Sequence, residues 1–437
     1  MISSTSTDTT DVKKLGDFIS LQRGTTYKSS LLGQPGAVLI GLASIEREGG
    51  FRNDKLETYG GECPPKISLK SGDLYVSLKD ITQDGHLLGA VARIPDSIER
   101  GRLTQDTVKL VFEKELFPKN YIYWLLRTPQ YRTYCRSRQT GTTNLGLSRE
   151  DFLSLPVPAL TETTNAIVIA LESIEKKIEN LRRQNETLEA IAQTLFKHWF
   201  VDFEFPNEGG KPYKSSGGAM VQSDLGEIPV NWRVHKLGNV VKKSNTGADA
   251  IQKAPIVEQN TGIRCLRVGD LTNNRLFEDW GYCEVTQKNF EQYRLRENDI
   301  LVTRTSSLGL NILITHDLPA VFNNGLIRIK LHENVSHFLI YCFLQSRRFK
   351  EHIGKITYET STRPNMQINY LQDFLILEVE KNIEKEFSAL VSKTLSKIDS
   401  NKRQIQTLTR TRDVLLPQLM SGKLRITEQT QAPPPAL

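Results

Sequence analysis

The sequence has few cysteines and histidines, and none of them stands in a metal-binding spacing. Its 437 residues include five cysteines and seven histidines, and no CxxC pair, HxH pair or HExxH run occurs among them. Zinc sites need ligands at such short spacings. We therefore expect no metal site. We also expect reduced thiols in a cytoplasmic protein, because disulfides are rare in that compartment.

Long apolar runs are also missing. No stretch approaches the roughly 18 consecutive apolar residues that a transmembrane helix requires. Residues 1–7, MISSTST, have neither a basic end nor an apolar core. They therefore do not have the pattern of a secretory signal, and we expect no contact with a membrane.

Catalytic motifs are missing as well. The chain has no GxxxxGK[ST] phosphate loop, no GxGxxG run after a strand, and no Asn/Asp-Pro-Pro-Tyr/Phe run of the kind found in amino-methyltransferases. Pro95 and Asp96 could begin a nuclease carboxylate motif, but no Asp/Glu-x-Lys follows nearby. We therefore expect no catalytic residues. An enzyme with an unrecognised nuclease or methyltransferase site in one half is an alternative.

The chain does have an unevenly distributed excess of basic residues. Lys and Arg number 57 and Asp and Glu number 50, which gives a net charge of +7. Residues 100–149 hold ten basic and three acidic side chains, interleaved with Tyr121, Tyr123, Tyr131 and Tyr134. Basic side chains bind phosphates without reading sequence, although a solvated basic helix face would show the same pattern.

The sequence repeats itself at about half its length. Four segments recur in the same order, at offsets of 218 to 226 residues. The pairs are residues 14–16 with 236–238, 69–77 with 295–303, 121–126 with 339–344, and 151–153 with 373–375. Two copies of one fold that differ by loop insertions would give this pattern.

Each half begins with about 150 residues of mixed character. Short β-rich runs at residues 36–45, 74–78 and 108–112 are separated by turn-forming residues. One amphipathic helix is predicted over residues 119–138, and its counterpart is predicted over residues 335–355. We therefore predict a mixed α/β domain in each half.

A long helix follows each mixed domain, with an apolar seam at alternating spacings of four and three. The first seam contains Ile167, Leu171, Ile174, Ile178, Leu181, Asn185, Leu188, Ala192, Leu195 and Trp199. The second contains Phe387, Val391, Ile398, Asn401, Ile405, Leu408, Arg412, Leu415 and Leu419. A helix with one apolar stripe needs a partner. We expect the two to pair as an antiparallel coiled coil whose polar residues restrict its register; the alternative is two separate helices.

These observations predict an α+β fold with an internal pseudo-twofold repeat. Two similar mixed α/β domains would be separated by the two paired helices. The expected divisions are a disordered tail at residues 1–10, a first mixed domain at 11–160, a first long helix at 161–204, a linker at 205–226, a second mixed domain at 227–379, a second long helix at 380–426 and a disordered tail at 427–437.

Loops rich in Arg, Thr, Ser and Asn occur at equivalent places in the two halves. Residues 138–144 match 359–365, and residues 77–80 match 303–307. Such side chains can read base edges, and ordinary turns have similar compositions, so the duplication is what favours DNA binding. The candidate DNA-binding residues are Arg23, Lys28, Lys79, Arg136, Arg138, Thr142, Asn144, Arg264, Arg304, Ser306, Arg347, Arg363 and Asn365.

Three motifs resemble the DNA-specificity (S) subunit of Type I restriction-modification systems. They are residues 195–203 (LFKHWFVDF), 225–232 (LGEIPVNW) and 415–424 (LLPQLMSGKL). Residues 362–366 (TRPNM) resemble the loop at the end of a target-recognition domain, whereas residues 142–145 (TTNL) lack its proline. Together with the repeat, the resemblance covers nearly the whole chain.

The resemblance implies two target-recognition domains, each reading one half of a split, asymmetric site in double-stranded DNA. It implies as partners two adenine-methylating modification subunits and the restriction subunits. S-adenosylmethionine, ATP and Mg would be bound by those partners and not by this chain. The candidate partner-binding residues are Ile169, Ile191, Phe196, Trp199, Phe200 and Leu416. A scaffold with two interaction modules on a rod, without DNA binding, is the other alternative.

Overall fold

The computed structural model describes residues 12–53, 56–81, 84–142, 144–249, 252–359 and 365–418, without the side chains of residues 356–359. The chain forms two compact units. Unit 1 contains Met1–Glu179 and Gln406–Leu437, and unit 2 contains Asn180–Ile405. The two expected disordered tails lie outside the described residues.

Unit 1 consists mainly of short strands in two four-stranded sheets. Its strands are β1 Ile19–Arg23, β2 Leu32–Ile40, β3 Thr58–Tyr59, β4 Ser68–Leu69, β5 Leu74–Ser77, β6 Lys79–Asp80, β7 Val91–Arg93, β8 Gly101–Leu103, β9 Thr107–Phe112 and β10 Leu145–Gly146. Its short helices are α1 Lys119–Leu125, α2 Pro129–Ser137 and α3 Arg149–Leu153. The sheet orders are β1-β9-β5-β7 and β3-β2-β8-β4, and β6 pairs with β10. The long helix α4, Glu162–Phe200, begins in unit 1.

Unit 2 has a similar composition of elements. Its strands are β11 Met220–Ser223, β12 Gly226–Pro229, β13 Arg233–Lys236, β14 Val241–Thr246, β15 Ile256–Val257, β16 Arg264–Leu266, β17 Tyr282–Cys283, β18 Ile300–Thr303, β19 Asn311–Leu313, β20 Ala320–Phe322, β21 Leu326–Leu331 and β22 Leu375–Glu378. Its helices are α5 Val268–Thr272, α6 Gln287–Tyr293, α7 His337–Gln345, α8 Arg347–Glu359 and α9 Ile368–Gln372. The long helix α10, Lys381–Leu415, begins here. The α+β class is thereby confirmed.

The first sheet of each unit has the same strand order. The order β1-β9-β5-β7 in unit 1 corresponds to β14-β21-β18-β19 in unit 2. In each, the turn before the central strand ends in an aspartate, Asp73 or Asp299, whose carboxylate accepts a bond of 3.0 Å from the backbone N–H three residues earlier. The preceding residue, Gly72 or Asn298, has a positive φ, of 79° or 68°, as suits these two residue types. The repeated segment therefore forms the same turn in both units.

The single amphipathic helix predicted for each half is wrong. The structure has two helices, α1 and α2, in unit 1 and two, α7 and α8, in unit 2. In unit 1, Thr128 lies between α1 and α2 and begins the second helix. Its hydroxyl caps α2 by accepting from the N–H of Tyr131 (3.3 Å), and Pro129 favours the first helical position. In unit 2 the Ser346 hydroxyl caps α8 in the same way, accepting from the N–H of Phe349.

The two long helices contact each other within unit 2. Asn401 Nδ2 donates to Asn185 Oδ1 over 2.9 Å, and both side chains are buried. Farther along α4, the rings of Trp199 and Phe200 pack against Phe387, with centroids 5.8 and 4.7 Å apart. Later residues of α4 thus meet earlier residues of α10, and the two helical segments run antiparallel in this unit.

The same direction holds for the helical segments of unit 1. Arg412 Nη1 of α10 lies 3.3 Å from Glu175 Oε2 of α4. Leu416, just beyond α10, is buried in a cluster with Ile167 and Leu171. The second helix was expected to reach residue 426, but α10 ends at Leu415, and the chain after residue 418 lies outside the described residues.

The segment expected as a linker, residues 205–226, is folded onto unit 2. Phe205 stacks between Tyr213 and Trp232, with ring centroids 4.6 and 4.8 Å apart. Strands β11 and β12 then form a small antiparallel pair. The aromatic residues of this segment join it to the core of unit 2, which its glycine pairs do not indicate.

Candidate nucleic-acid interface

A buried hydroxyl ends the central strand of each first sheet. The Ser77 hydroxyl donates to the carbonyl of Lys79, and the Thr303 hydroxyl donates to the carbonyl of Ser307. The Ser77 and Thr303 side chains are buried. They hold the first residues of each polar loop against the end of the strand.

The second polar loop of each unit lies beside the first. In unit 1, β6 pairs with β10, and Lys79 lies opposite Gly146. In unit 2, Thr305 lies opposite Asn365 in an isolated bridge. The structure therefore brings together the loops that the sequence singles out in both halves. It also shifts their alignment by two residues, because Gly146, and not Asn144, stands where Asn365 stands.

The tip of the second loop in unit 1 is a short closed turn. Thr140 and Gly146 exchange two backbone hydrogen bonds of 2.8 Å. Gly141 adopts a φ of +90°, and a β-carbon at this position would clash with the carbonyl oxygen of Asn144. Thr142 and Asn144 are exposed on this turn, and residue 143 lies outside the described residues.

Basic side chains surround this edge of unit 1. Arg138 stacks on the ring of Tyr134 at 3.8 Å, and its Nε lies 4.0 Å from Asp151 Oδ1. Arg23, which ends β1 at the same end of the sheet as Ser77, donates from Nε to the carbonyl of Gln105 (2.9 Å). Lys28 and Lys79 are exposed as well.

The Glu48 carboxylate forms ion pairs with several basic groups of unit 1. Its carboxylate lies 2.6 Å from His86 Nδ1 and 2.9 Å from Arg132 Nε, and it also pairs with Arg136. Burial raises the pKa of the Glu48 carboxyl, but the hydrogen bonds from His86 and Arg132 and the charges of Arg132 and Arg136 outweigh that effect, so its pKa lies below the ordinary 4.5. Arg136, predicted to bind DNA, is therefore partly neutralised within the chain. The sequence carries no signal for this cluster, since its members are far apart in the chain.

The corresponding residues of unit 2 differ in their exposure. Arg304 is half-buried, and its Nε donates to the carbonyl of Met366 (3.2 Å). Ser306, at a φ of +62°, and Asn365 are exposed. Arg363 lies outside the described residues.

Two further predicted DNA-binding residues have local partners. Arg264 donates to the carbonyl of Trp280 and to the hydroxyl of Tyr282 (2.8 Å), and its guanidinium lies 4.1 Å over the Tyr282 ring. Its donors are therefore used within its own sheet. Arg347 is exposed and forms a pair of 2.7 Å with Glu351 one turn later.

Part of the basic and aromatic stretch at residues 100–149 is not on the surface. The buried arginines of this stretch are Arg102, Arg127 and Arg132, and the buried tyrosines are Tyr121, Tyr123 and Tyr131. Arg102, for example, donates to the carbonyl of Glu62 (2.8 Å) and to the hydroxyl of Thr25 (2.9 Å). Counting charges along the chain thus overstates the basic surface, because a buried guanidinium with its donors satisfied cannot bind a phosphate.

The predicted partner-binding residues divide into two groups. Ile169 and Ile191 of α4 are 57% and 52% exposed. The side chains of Phe196, Trp199, Phe200 and Leu416 are buried. The three aromatic residues belong to the core of unit 2 and Leu416 to that of unit 1. The interpretation of these four as docking residues is corrected, because the chain's own packing already covers them.

The described part of the chain shows neither a metal-binding cluster nor a membrane-spanning helix. No group of three or more His, Cys, Asp and Glu side chains converges there as a metal ion would require. Among the same residues, no helix combines the length and the apolar character needed to traverse a lipid bilayer.

Comparison with known proteins gives consistent results. Residues 229–410 match the family described as the Type I restriction modification DNA specificity domain. The Type I restriction enzyme MjaIX specificity subunit of Methanocaldococcus jannaschii is 28% identical over 84% of this chain and 81% of its own length. The HindI specificity subunit of Haemophilus influenzae is 22% identical over 68% and 74%. The crystal structure of an S subunit from M. genitalium superposes with a TM-score of 0.58 at 15% identity, over 95% of this chain and 98% of the other.

Proposed function

Since this chain belongs to the family of Type I restriction-modification DNA-specificity subunits, we propose that it reads its DNA target as two half-sites separated by an unread gap. Unit 1 would read one half-site and unit 2 the other. Because their loops differ in sequence, the two half-sites would differ and the site would be asymmetric. Each unit would present one target-recognition domain.

One observation carries this proposal. Both units place two polar loops side by side at the end of the same strand of the same sheet, next to Lys79 in unit 1 and Thr305 in unit 2. Exposed Arg, Lys, Asn, Ser and Thr side chains on such loops can contact base edges and phosphates. A non-DNA scaffold would not need this chemistry at the same place twice.

We further propose that α4 and α10 form an antiparallel coiled coil that sets the length of the gap, and that the two halves are related by a pseudo-twofold axis. The buried Asn185–Asn401 bond and the Arg412–Glu175 pair support a fixed register. A shifted register would place these polar groups against apolar neighbours without partners.

The chain would act through other subunits. We propose that it directs two modification subunits to an adenine in each half-site and that restriction subunits join this complex. The exposed Ile169 and Ile191 are the remaining candidates for docking a modification subunit. S-adenosylmethionine, ATP and Mg would be bound by those subunits.

The test is methylation sequencing of DNA from a host that expresses this chain with its modification subunit. The control host expresses the modification subunit alone. We expect methyladenine at one split motif with a gap of fixed length. Methylation that is unchanged by this chain, or that falls on a contiguous motif, would contradict the proposal.

Variants of the loop residues assign the half-sites to the units. Arg138→Ala should relax or weaken recognition of one half-site only, and Ser306→Ala should affect the other half-site only, because the two residues lie in different units. Lys66→Ala, at an exposed lysine outside the polar loops, is the control and should leave both half-sites unchanged. Equal effects of Arg138→Ala on both half-sites would contradict the division.

A further inference from the structure

In unit 1 the sheet domain is joined to helix α4 through a carboxylate with three hydrogen bonds. Glu172 accepts from Arg93 Nη1 with both oxygens, over 2.8 and 3.0 Å, and from Trp124 Nε1 over 2.6 Å. Arg93 ends β7 and Trp124 lies in α1. One side chain of α4 therefore holds both a strand and a helix of the recognition domain.

A second carboxylate, one turn later in α4, adds helix α10 to this arrangement. Glu175 Oε2 lies 3.3 Å from Arg412 Nη1 and 3.9 Å from Arg127 Nη1. Arg127 in turn donates to the buried hydroxyl of Tyr123 over 2.9 Å. The junction cluster, as we name it, consists of Arg93, Arg127, Glu172, Glu175 and Arg412.

The residues of unit 2 that correspond to these five positions are uncharged. Strand register equates Leu313 with Arg93, since they lie opposite Ile300 and Leu74. The two long helices repeat at an offset of 220 residues, and the segment that ends at Arg127 repeats at an offset of 218. The counterparts are Leu313 for Arg93, Gln345 for Arg127, Ser392 for Glu172, Leu395 for Glu175 and Ala192 for Arg412. Leu313 is buried and Leu395 packs against the core. The fold can thus be built without charges at these five positions, although in unit 2 another carboxylate of α10, Glu384, accepts from the backbone N–H of Ser336 at the start of α7.

Ionic and apolar side chains at these positions differ less in how much they stabilise the fold than in how strictly they fix the orientation of the domain on the helices. Apolar packing is not directional, so an apolar junction tolerates small rotations. A half-buried ion cluster gains little net stability over well-packed apolar side chains, but misalignment leaves charges without partners. Burial lowers the pKa of Arg412, but the charges of Glu175 and Asp413 raise it by more than burial lowers it. The pKa of Arg412 therefore lies above its ordinary value, which is consistent with a fully charged cluster.

We propose that the junction cluster is a positioning device that holds the recognition domain of unit 1 at one orientation on the helices and so restricts the DNA gap to one length. This proposal rests on the proposed function, in which the helices separate two half-sites. Its residues do not touch DNA; they act through the domain that they orient. The specificity they confer is for spacing and not for bases.

The test replaces the five residues of the junction cluster by their uncharged counterparts from unit 2. The junction graft carries Arg93→Leu, Arg127→Gln, Glu172→Ser, Glu175→Leu and Arg412→Ala. The control is Glu186→Gln, which removes an exposed carboxylate of the same helix. Each variant is assembled with the modification subunit and incubated with S-adenosylmethionine and a DNA library. The library contains both half-sites separated by every gap from well below to well above the natural one, and methylated adenines are sequenced.

We expect the graft to unfold within about 4 °C of the wild type and to raise methylation at gaps one base pair longer or shorter by about tenfold relative to the natural gap. The Glu186→Gln control should keep the wild-type gap profile. A graft that is as stable as the wild type and keeps that profile overturns the proposal.

If the graft unfolds at a much lower temperature than the wild type, single variants test the proposal in its place. Glu172→Gln should widen the gap profile, and Arg93→Lys, which keeps the charge, should restore most of the discrimination that Arg93→Leu loses. Equal, narrow profiles for all three variants overturn the proposal. Failure of the proposed function is seen separately, because the wild type itself would then methylate no split motif.

Discussion

The carboxylate of Glu48 gives unit 1 a stability that depends on pH. Its pKa is lower in the folded chain than the ordinary 4.5, because His86, Arg132 and Arg136 favour the charged form. A carboxyl group with a lowered pKa stabilises the folded state above its unfolded pKa, and this contribution is lost as the pH falls through the folded pKa. We expect Glu48→Gln to lower the unfolding temperature at pH 7 and to differ progressively less from the wild type as the pH falls below about 4.5.

Thermal unfolding of both proteins between neutral and acidic pH checks this. Glu57→Gln is the control, because Glu57 is an exposed carboxylate of the same unit. A difference between Glu48→Gln and the wild type that stays constant through acidic pH would contradict the assignment of the lowered pKa to Glu48.

Arg132 and Arg136 lie one turn apart on α2 and should have very different effects on stability. Arg132 is buried and donates to the carbonyls of Gly85, His86 and Leu88 as well as to Glu48. Arg132→Ala should cost about 3–5 kcal/mol, as removing one member of a buried charged network does. Arg136→Ala, at an exposed position, should cost less than about 1 kcal/mol. Urea unfolding of the two variants measures both, and equal costs would contradict the buried role of Arg132.

At the scale of secondary-structure elements, periodic patterns could be predicted from the sequence and three-dimensional partners could not. The two long helices were predicted within a few residues at the start of α4 and α10, because a heptad pattern over 35 or more residues is a strong signal. The break at Thr128 was missed, because the apolar pattern continues across it. The loops beside Lys79 were predicted as polar, but their pairing with β10 depends on strand register, which composition does not encode.

Burial of polar residues was the second source of error at this scale. Arg102, Arg127 and Arg132 count as basic surface in the sequence, whereas in the fold they are buried and donate to backbone carbonyls or side chains. Conversely, the sequence interpretation treats Phe196 and Trp199 as docking residues, Phe196 because it lies outside the apolar seam of the first long helix. The core of unit 2 uses them instead.

The buried bond between Asn185 and Asn401 is where the helices' register can be tested. Asn401→Leu leaves the Asn185 amide buried without this partner and should cost about 1–3 kcal/mol. The double variant Asn185→Leu and Asn401→Leu should be at least as stable as the wild type, because two apolar side chains can replace a buried polar pair. Chemical unfolding measures all three, with Asn382→Leu at an exposed position of α10 as the control. A single variant as stable as the double would contradict a register-setting role.

At the scale of the whole molecule, the two units share the strand order of their first sheet and differ in the surfaces around it. The turn at Asp73 and that at Asp299 have the same geometry, whereas the loop residues, the Glu48 cluster and the junction cluster differ between the units. A repeated scaffold with different loops is what reading two different half-sites requires. Under the proposed function, residues that only one unit has, such as Glu172 and Glu175, are therefore the ones to vary in tests of specificity.

The proposed spacing function predicts a change in the gap when both helices are lengthened equally. Seven residues add about 10 Å to a helix, or roughly three base pairs of DNA, and a heptad keeps the apolar seam in phase. Inserting one heptad into α4 and one into α10 should therefore lengthen the methylated gap by about three base pairs and leave both half-sites unchanged. A heptad in α4 alone is the matched control and should abolish methylation, because Asn185 and Asn401 can no longer meet while both ends stay packed. If the doubly lengthened chain methylates the original gap, the helices do not set the spacing.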